Sequence, residues 1–81
     1  MKLPERIQKI VDEVALEEGV FASEVCSGRS RTAIKARDRV ALMLHRQGRS
    51  YAEIARLLGM ADHSTAFASV KRAKLREPVS L

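Results

Sequence analysis

The strongest constraint on the fold is a pair of helix-forming segments, residues 50–58 and 62–76, that only a few residues separate. Ser50 opens the first segment with the spacing of a capping box, which a glutamate three residues later completes. Gly59 predicts the end of the first helix, and Asp62 is a good N-cap for the second. Two helices joined by so short a turn predict a helix-turn-helix layout, which many DNA-binding proteins share.

The rest of the chain also has helical periodicity, and no segment alternates apolar and polar residues over a useful length. Gly19 and Gly48 each follow an amphipathic segment and suit the position after a helix end, while Ser23 would cap a short helical turn. The predicted elements are a first helix at 4–18, a short helical turn within 20–27, a basic loop at 28–32, a long helix at 33–47 and the pair at 50–58 and 62–76. The sequence therefore predicts an all-α fold, a single compact domain over residues 1–81.

Composition excludes several classes of protein. At 81 residues the chain fits one small domain with a thin core. It has no apolar run long enough to span a bilayer and no signal-peptide core after Met1, so we expect a cytoplasmic protein that does not enter the membrane. Cys26 is the single cysteine, and His45 and His63 are the two histidines. Because their spacing matches no zinc site, we expect neither a metal nor a cofactor.

Charge is distributed unevenly along the chain. Residues 1–28 hold three basic against six acidic residues, a net charge of −3, whereas residues 29–81 hold twelve against four, a net charge of +8. Ten of the 15 basic residues are Arg, whose planar fork suits phosphates and DNA grooves. A basic block behind an acidic helix indicates a surface for a polyanion. A solvated basic surface without a ligand is the alternative.

The stretch Asp62-His63-Ser64-Thr65 combines the residue types of a catalytic triad. Neighbouring helical residues point about 100° apart, so these side chains cannot line up as orienter, base and nucleophile. We therefore expect neither an enzyme nor a small-molecule substrate. In the first turn of a recognition helix, the Thr65 methyl can pack on a thymine and His63 can contact a base edge. Asp62 would cap the helix or accept a hydrogen bond from a cytosine amino group. The alternative for the whole stretch is a polar first turn that binds no ligand.

Taken together, these features resemble the C-terminal DNA-binding domain of the DnaA family, the bacterial chromosomal replication initiators. The segments that carry the likeness are Asp62-His63-Ser64-Thr65, close to the family's Asp-His-Thr-Thr, the basic loop Gly28-Arg29-Ser30-Arg31-Thr32 and the helical stretch 35–44. The likeness extends over nearly the whole chain, because residues 7–11 and 20–27 also fit the family's first helices.

The resemblance implies duplex DNA binding at replication origins, with the recognition helix in the major groove and an arginine of the loop in the minor groove. Arg29 matches the minor-groove arginine, with Ser30 on the backbone beside it, and Arg37 matches a helix arginine near phosphates. The residues expected at the DNA interface are Arg29, Ser30, Arg31, Lys35, Arg37, Tyr51, Ala52, Ala61, Asp62, His63, Ser64, Thr65 and Lys71. A nucleoid-associated protein is implied, with replication proteins as further candidate partners.

The chain departs from the family's pattern in several places. Ala61 stands where the family usually carries a base-reading arginine, a contact worth ~1–3 kcal/mol. Ala68 replaces a polar residue that contacts the DNA backbone, Asp38 replaces an amide, and Ser64 replaces a threonine. The chain contains no G-x-x-x-x-G-K-[ST] segment, so it lacks the P-loop with which the whole initiator binds ATP.

Two other functions remain open at this point. One is a small helix-turn-helix transcription regulator that recognises a different DNA sequence. The other is an interaction module that mimics the initiator domain and binds replication proteins through the acidic helix at 4–18. The chain, which begins with Met1, fits either a stand-alone protein or a domain taken from a longer one.

Overall fold

The computed structural model describes residues 3–77, which form five α-helices and, over that range, no strand. The helices are α1 (Glu5–Glu18), α2 (Ala22–Ser27), α3 (Arg31–Arg46), α4 (Tyr51–Leu58) and α5 (His63–Arg76). The predicted all-α fold, with four main helices and one short one, is therefore confirmed. The two ends of the predicted domain, residues 1–2 and 78–81, lie outside the described residues.

Most of the predicted helix signals around the last two helices are present. The Ser50 hydroxyl accepts a hydrogen bond from the Glu53 amide at 3.2 Å, and α4 begins at the next residue. The Glu53 carboxylate does not complete the capping box as predicted: it accepts instead from the Ser50 hydroxyl at 3.5 Å and lies 3.3 Å from Arg49. Gly59 ends α4 in the left-handed conformation, with φ of 69°, which a residue without a Cβ adopts at little cost.

Two predicted boundaries differ from the structure. Helix α3 begins at Arg31, two residues earlier than predicted, because the Ser30 hydroxyl accepts from the Ala33 amide at 3.1 Å and caps the helix there. The predicted cap of the short helix was wrong. Phe21 occupies the N-cap position of α2 without a side-chain bond, and Ser23 lies inside the helix, where its carbonyl accepts from the Ser27 hydroxyl at 2.8 Å.

Helix α3 is the centre of the fold, since it packs against each of the other four helices. The core is built from aliphatic and small side chains; its largest fully buried apolar members are Ile7, Val11, Val14, Val25, Val40, Leu44, Ile54, Leu58 and Val70. Alanines at the contacts, such as Ala36 of α3 and Ala66 of α5, are also fully buried. Small side chains at these positions let the helix backbones approach closely, which compensates for the lack of a buried aromatic residue.

A buried carboxylate joins α3 to α5. The Asp38 side chain is fully buried, and its two oxygens accept four hydrogen bonds from three residues of α5. Ser69 donates to Oδ1 at 2.5 Å, Arg72 donates to both oxygens at 3.0 and 3.1 Å, and Arg76 donates to Oδ2 at 2.7 Å. A buried charge is tolerated when such partners replace its water shell. Because three turns of α5 bond to one point of α3, the network fixes which face of α5 is turned outward.

Candidate nucleic-acid interface

Helix α5 has one buried face and one exposed face. The buried residues, Ala66, Ser69, Val70 and Ala73, recur at spacings of three and four and pack on the core. The opposite side begins with exposed His63 and Ser64 and continues one and two turns later with exposed Phe67 and Lys71. We call His63, Ser64, Phe67 and Lys71 the outer stripe of α5. The predicted major-groove residues His63 and Ser64 and the predicted Lys71 therefore lie on a single face of one helix.

The first turn of α5 is organised by its cap. Asp62 Oδ1 accepts from the Thr65 amide at 3.0 Å and from the Thr65 hydroxyl at 3.1 Å. Of the two roles expected for Asp62, the structure contains the capping bond. These bonds from Thr65, the backbone one first, hold the pKa of the Asp62 carboxyl below its ordinary value. Since the Thr65 hydroxyl proton is committed to Asp62, its methyl group and hydroxyl lone pairs are what this exposed residue still offers a ligand.

The residues expected to meet DNA beside α5 come from the turn and from the start of α4. Ala61 is exposed in the turn directly before the cap, and Ala52 is exposed in the first turn of α4. Tyr51 is half-buried between two rings: it stacks on His45 with centroids 4.8 Å apart, and its centroid lies 5.3 Å from that of Phe67 in an edge-on arrangement. Tyr51 therefore supports the outer stripe of α5 from the side of α4.

The predicted basic loop is shorter than expected, because Arg31 belongs to the first turn of α3. Arg29 is exposed in the remaining linker, and Ser30 uses its hydroxyl to cap α3. Gly28 fits a place where a side chain would not. A Cβ there would lie 2.6 Å from the carbonyl oxygen of Glu24 and 2.8 Å from the Cβ of Ala33. The glycine thus lets the linker pass close to the end of α2. This path fixes the position from which the Arg29 side chain extends into solvent.

Arg37, which the resemblance places near phosphates, bonds to two backbone carbonyls. Its Nε donates to the Val25 carbonyl at 2.8 Å, and its Nη2 donates to the Gly28 carbonyl at 2.5 Å. These two bonds satisfy carbonyls at the end of α2 and tie the linker before Arg29 to α3. Any phosphate contact of Arg37 would have to be made together with these bonds or at their expense.

The basic residues within 3–77 differ in whether a carboxylate lies beside them. Five arginines are in ion pairs: Arg39 with Glu17 and Glu18, Arg46 with Glu77, Arg49 with Glu53, and Arg72 and Arg76 with Asp38. Lys35, an expected interface residue, lies 3.6 Å from Glu18. Within residues 3–77, no carboxylate lies within 4.0 Å of the charged groups of Arg29, Arg31 or Lys71. These three expected contacts keep their charge available for a ligand.

One residue of this surface was not expected from the sequence. Phe67 lies on the outer stripe of α5 and is 50% exposed. An aromatic residue in a helix usually belongs to the core, so its type alone pointed inward. The signal that Phe67 lies on the exposed face was its position four residues after His63, because residues at that spacing share a helix face.

Comparison with known proteins gives no match to this chain among family models, curated proteins or solved structures. The likeness to the DnaA family rests on the segments quoted above. In the described part of the chain, no helix combines the length and apolar character needed to cross a membrane. Residues 3–77 also contain no group of three or more His, Cys, Asp or Glu side chains placed to hold a metal ion.

Proposed function

We propose that the chain is a sequence-specific double-stranded DNA-binding domain that places the outer stripe of α5 in the major groove. The observation that carries the proposal is the exposure of this stripe on a helix that directly follows a short turn, while the core and the Asp38 network hold its other face. His63 offers ring nitrogens and Ser64 a hydroxyl, the kinds of group that recognise base edges. Arg29 contacts the adjacent minor groove, as an arm does beside a recognition helix.

The attraction to phosphates comes from the unpaired cations rather than from the amino terminus of α5. A helix amino terminus usually favours an anion, but the Asp62 carboxylate already caps α5. A phosphate placed there would meet a like charge. Arg29, Arg31 and Lys71 have no carboxylate partner within residues 3–77, so they can replace condensed counterions without first giving up an ion pair.

The first test is a selection of bound duplexes from random DNA, followed by a titration of the selected duplex at several salt concentrations. If about 4–6 phosphates are neutralised, log K falls against log salt with a slope of roughly −4 to −5. The selected duplex binds more tightly than a scrambled one at every salt concentration. No binding at low salt, or binding that salt does not weaken, would overturn the proposal.

Two variants separate the assigned roles. Arg29→Ala removes a positive charge from the minor groove. It weakens binding to selected and scrambled duplexes alike, with some loss of the preference for A·T pairs. His63→Ala removes a base contact and mainly reduces the difference in affinity between the selected and the scrambled duplex. The measurement is the ratio of the two dissociation constants at one salt concentration. If both variants change this ratio equally, the division between groove charge and base contact is wrong.

We further propose that docking follows the manner of the DnaA family, and Ala61 provides the test. This residue is exposed and precedes the cap of α5, so Ala61→Arg puts the family's arginine back with little effect on folding. The variant binds the family's usual DNA site more tightly by ~1–3 kcal/mol, and a scrambled duplex gains less. An equal gain on both duplexes would mean that the arginine adds only charge and that docking differs from the family's.

A second candidate function is protein binding through α1. Leu16 near its end and Phe21 just after it are 84% and 75% exposed, beside the acidic residues of the same helix. Isolated exposed apolar residues are common, so this observation favours the second function less strongly than α5 favours the first. Neutralising the basic linker with Arg29→Gln and Arg31→Gln separates the two functions. A DNA-binding domain loses duplex affinity, whereas an interaction module has no such affinity to lose.

A further inference from the structure

Three rings from three helices lie in a row beside the outer stripe of α5. His45 near the end of α3 stacks on Tyr51 at the start of α4, with an interplanar angle of 10°. Tyr51 meets Phe67 of α5 edge-on, at 81°. The His45 Nδ1 atom is buried and has no hydrogen-bond partner within residues 3–77. The row ends at Phe67, which is the most exposed of the three rings.

Phe67 is held in place but only partly covered. Its ring keeps half of its surface in water, and edge-on packing against Tyr51 is a favoured aromatic geometry that restricts its rotation. The residue lies one turn beyond His63 and one turn before Lys71. A ligand that covers His63 and Lys71 would therefore also cover Phe67. Because the ring is already held, little side-chain entropy is lost when a ligand packs on it.

We propose that Phe67 is a specificity-determining residue that packs against the C5-methyl group of a thymine in the major groove. This inference rests on the proposed DNA-binding function and adds to it a preferred base. Thymine is the one base that presents an apolar group in the major groove, and a phenyl ring offers apolar contact but no hydrogen bond. The flanking residues differ in kind: His63 can bond to a base edge, whereas Lys71 meets phosphate.

The test replaces each thymine of the selected duplex in turn by deoxyuridine, which removes the methyl group and keeps the base pair. Binding of the wild-type chain weakens about fourfold at one thymine, the effect of withdrawing one buried methyl from a contact. In Phe67→Ala this same replacement has no effect, while replacements elsewhere act as in the wild type. Leu75→Ala is the matched control, because Leu75 is an apolar residue of the same helix that is 77% exposed but lies in its last turn. This control keeps the uracil penalty.

A second measurement needs no variant. In the wild-type complex, the NMR signal of the contacted thymine methyl shifts upfield, because the ring current of a phenyl group shields a methyl on its face. The proposal is overturned if no thymine methyl signal shifts or if no uracil replacement weakens binding. It is also overturned if Phe67→Ala, shown by urea denaturation to be folded, keeps the uracil penalty. Failure of the proposed function has a different signature, since the wild-type chain then binds no duplex at low salt.

Discussion

Basic residues lie on two sides of α5 and have different surroundings. On the side that meets α3, Arg72 and Arg76 bond to the buried Asp38, and Arg46 pairs with Glu77 just after the helix end. On the exposed side, the outer stripe presents Lys71 with no carboxylate partner in residues 3–77. The first group holds the helix in place and the second is free for a ligand. Net charge counted from the sequence treats the two groups alike and therefore overstates the charge available to a ligand.

The contacts of these paired arginines also explain why a buried aspartate, Asp38, lies within the basic region 29–81. Asp38 is 31 to 38 residues from its three partners, and all of them belong to α5. Four hydrogen bonds to one carboxylate leave little freedom for α5 to rotate about its axis. Rotation would move His63 and Phe67 off the exposed side together. We infer that the paired cations contribute to binding indirectly, by presenting the outer stripe.

Of the substitutions considered, removing the Asp38 charge should have the largest effect. Asp38→Asn leaves Arg72 and Arg76 without a counter-ion and replaces charge-assisted bonds with weaker ones. We expect a loss of about 2–3 kcal/mol in the free energy of unfolding, below the ~3–5 kcal/mol typical of a fully buried pair because both arginines reach water. Urea denaturation monitored by circular dichroism measures the loss.

Glu77→Gln is the matched control for that substitution. It breaks the exposed pair with Arg46, and exposed pairs of this kind contribute little to stability. We expect no change in the urea midpoint beyond experimental error. If Asp38→Asn were as stable as Glu77→Gln, the Asp38 network would not be what holds α5 against α3.

A substitution in the linker should have the next largest effect. Gly28→Ala places a methyl group 2.6 Å from the Glu24 carbonyl oxygen, which is backbone and cannot rotate away. Overpacking of this kind usually costs ~1–3 kcal/mol. The linker must shift, which also displaces Arg29 and disturbs the bond from Arg37 to the Gly28 carbonyl. We therefore expect both a lower urea midpoint and weaker duplex binding.

Arg29→Ala is the control for this linker substitution. The Arg29 side chain is exposed and makes no hydrogen bond or ion pair within residues 3–77. Its loss should weaken duplex binding while leaving the urea midpoint unchanged. A Gly28→Ala chain with wild-type stability would mean that the close approach at Gly28 relaxes without strain.

Much of the fold could be predicted because its signals are local. Ser50, Asp62 and Gly59 act within one helical turn of where they lie in the sequence, and the structure has the expected bonds or dihedral angle at each. Two local predictions were wrong: Glu53 does not bond back to the Ser50 amide, and Ser23 is not the cap of α2. Serine is common both at caps and inside short helices, so its type alone could not place the cap. The start of α3 was misplaced for a related reason, since Ser30 had been assigned to the loop and not to the cap.

The site was less predictable because its charge pattern depends on long-range contacts. Nothing near Asp38 in the sequence indicates that it is fully buried or that α5 supplies its partners. Arg37 was expected near phosphate, yet two of its five N–H donors bond to backbone carbonyls 9 and 12 residues away. Phe67 was not among the expected interface residues, although it lies four residues after His63 and shares its helix face. Pattern could place residues on a face of a helix, but it could not say which charges were already neutralised.

A smaller effect should separate unpaired from paired cations in a salt titration of two variants, each of which lacks one positive charge. Lys71→Ala and Arg46→Ala each remove one positive charge from an exposed side chain. If Lys71 meets a phosphate, its loss reduces the steepness of log K against log salt by about 0.9. Arg46 is committed to Glu77, so its loss leaves the slope unchanged. Equal changes in slope would mean that paired and unpaired cations contribute alike to binding.

The smallest expected effect concerns Asp62, the carboxylate that caps α5 beside the outer stripe. Hydrogen bonds from Thr65 lower its pKa in the folded chain from the ordinary value of 3.8. A lowered folded pKa means that the ionised cap contributes stability above the unfolded pKa and loses it as pH falls through the folded value. Asp62→Asn keeps a good N-cap that does not titrate. The difference in unfolding free energy between wild type and Asp62→Asn should therefore be constant above about pH 5 and should shift against the wild type below pH 4. Urea denaturation of both chains at steps between pH 3 and pH 7 measures this difference. In the proposed docking, the same variant should bind scrambled duplex slightly more tightly near neutral pH, because it removes a negative charge close to the DNA. A stability difference that stays flat down to pH 3 would contradict the capping role of the ionised carboxylate, whereas unchanged duplex affinity would place the phosphates away from the first turn of α5.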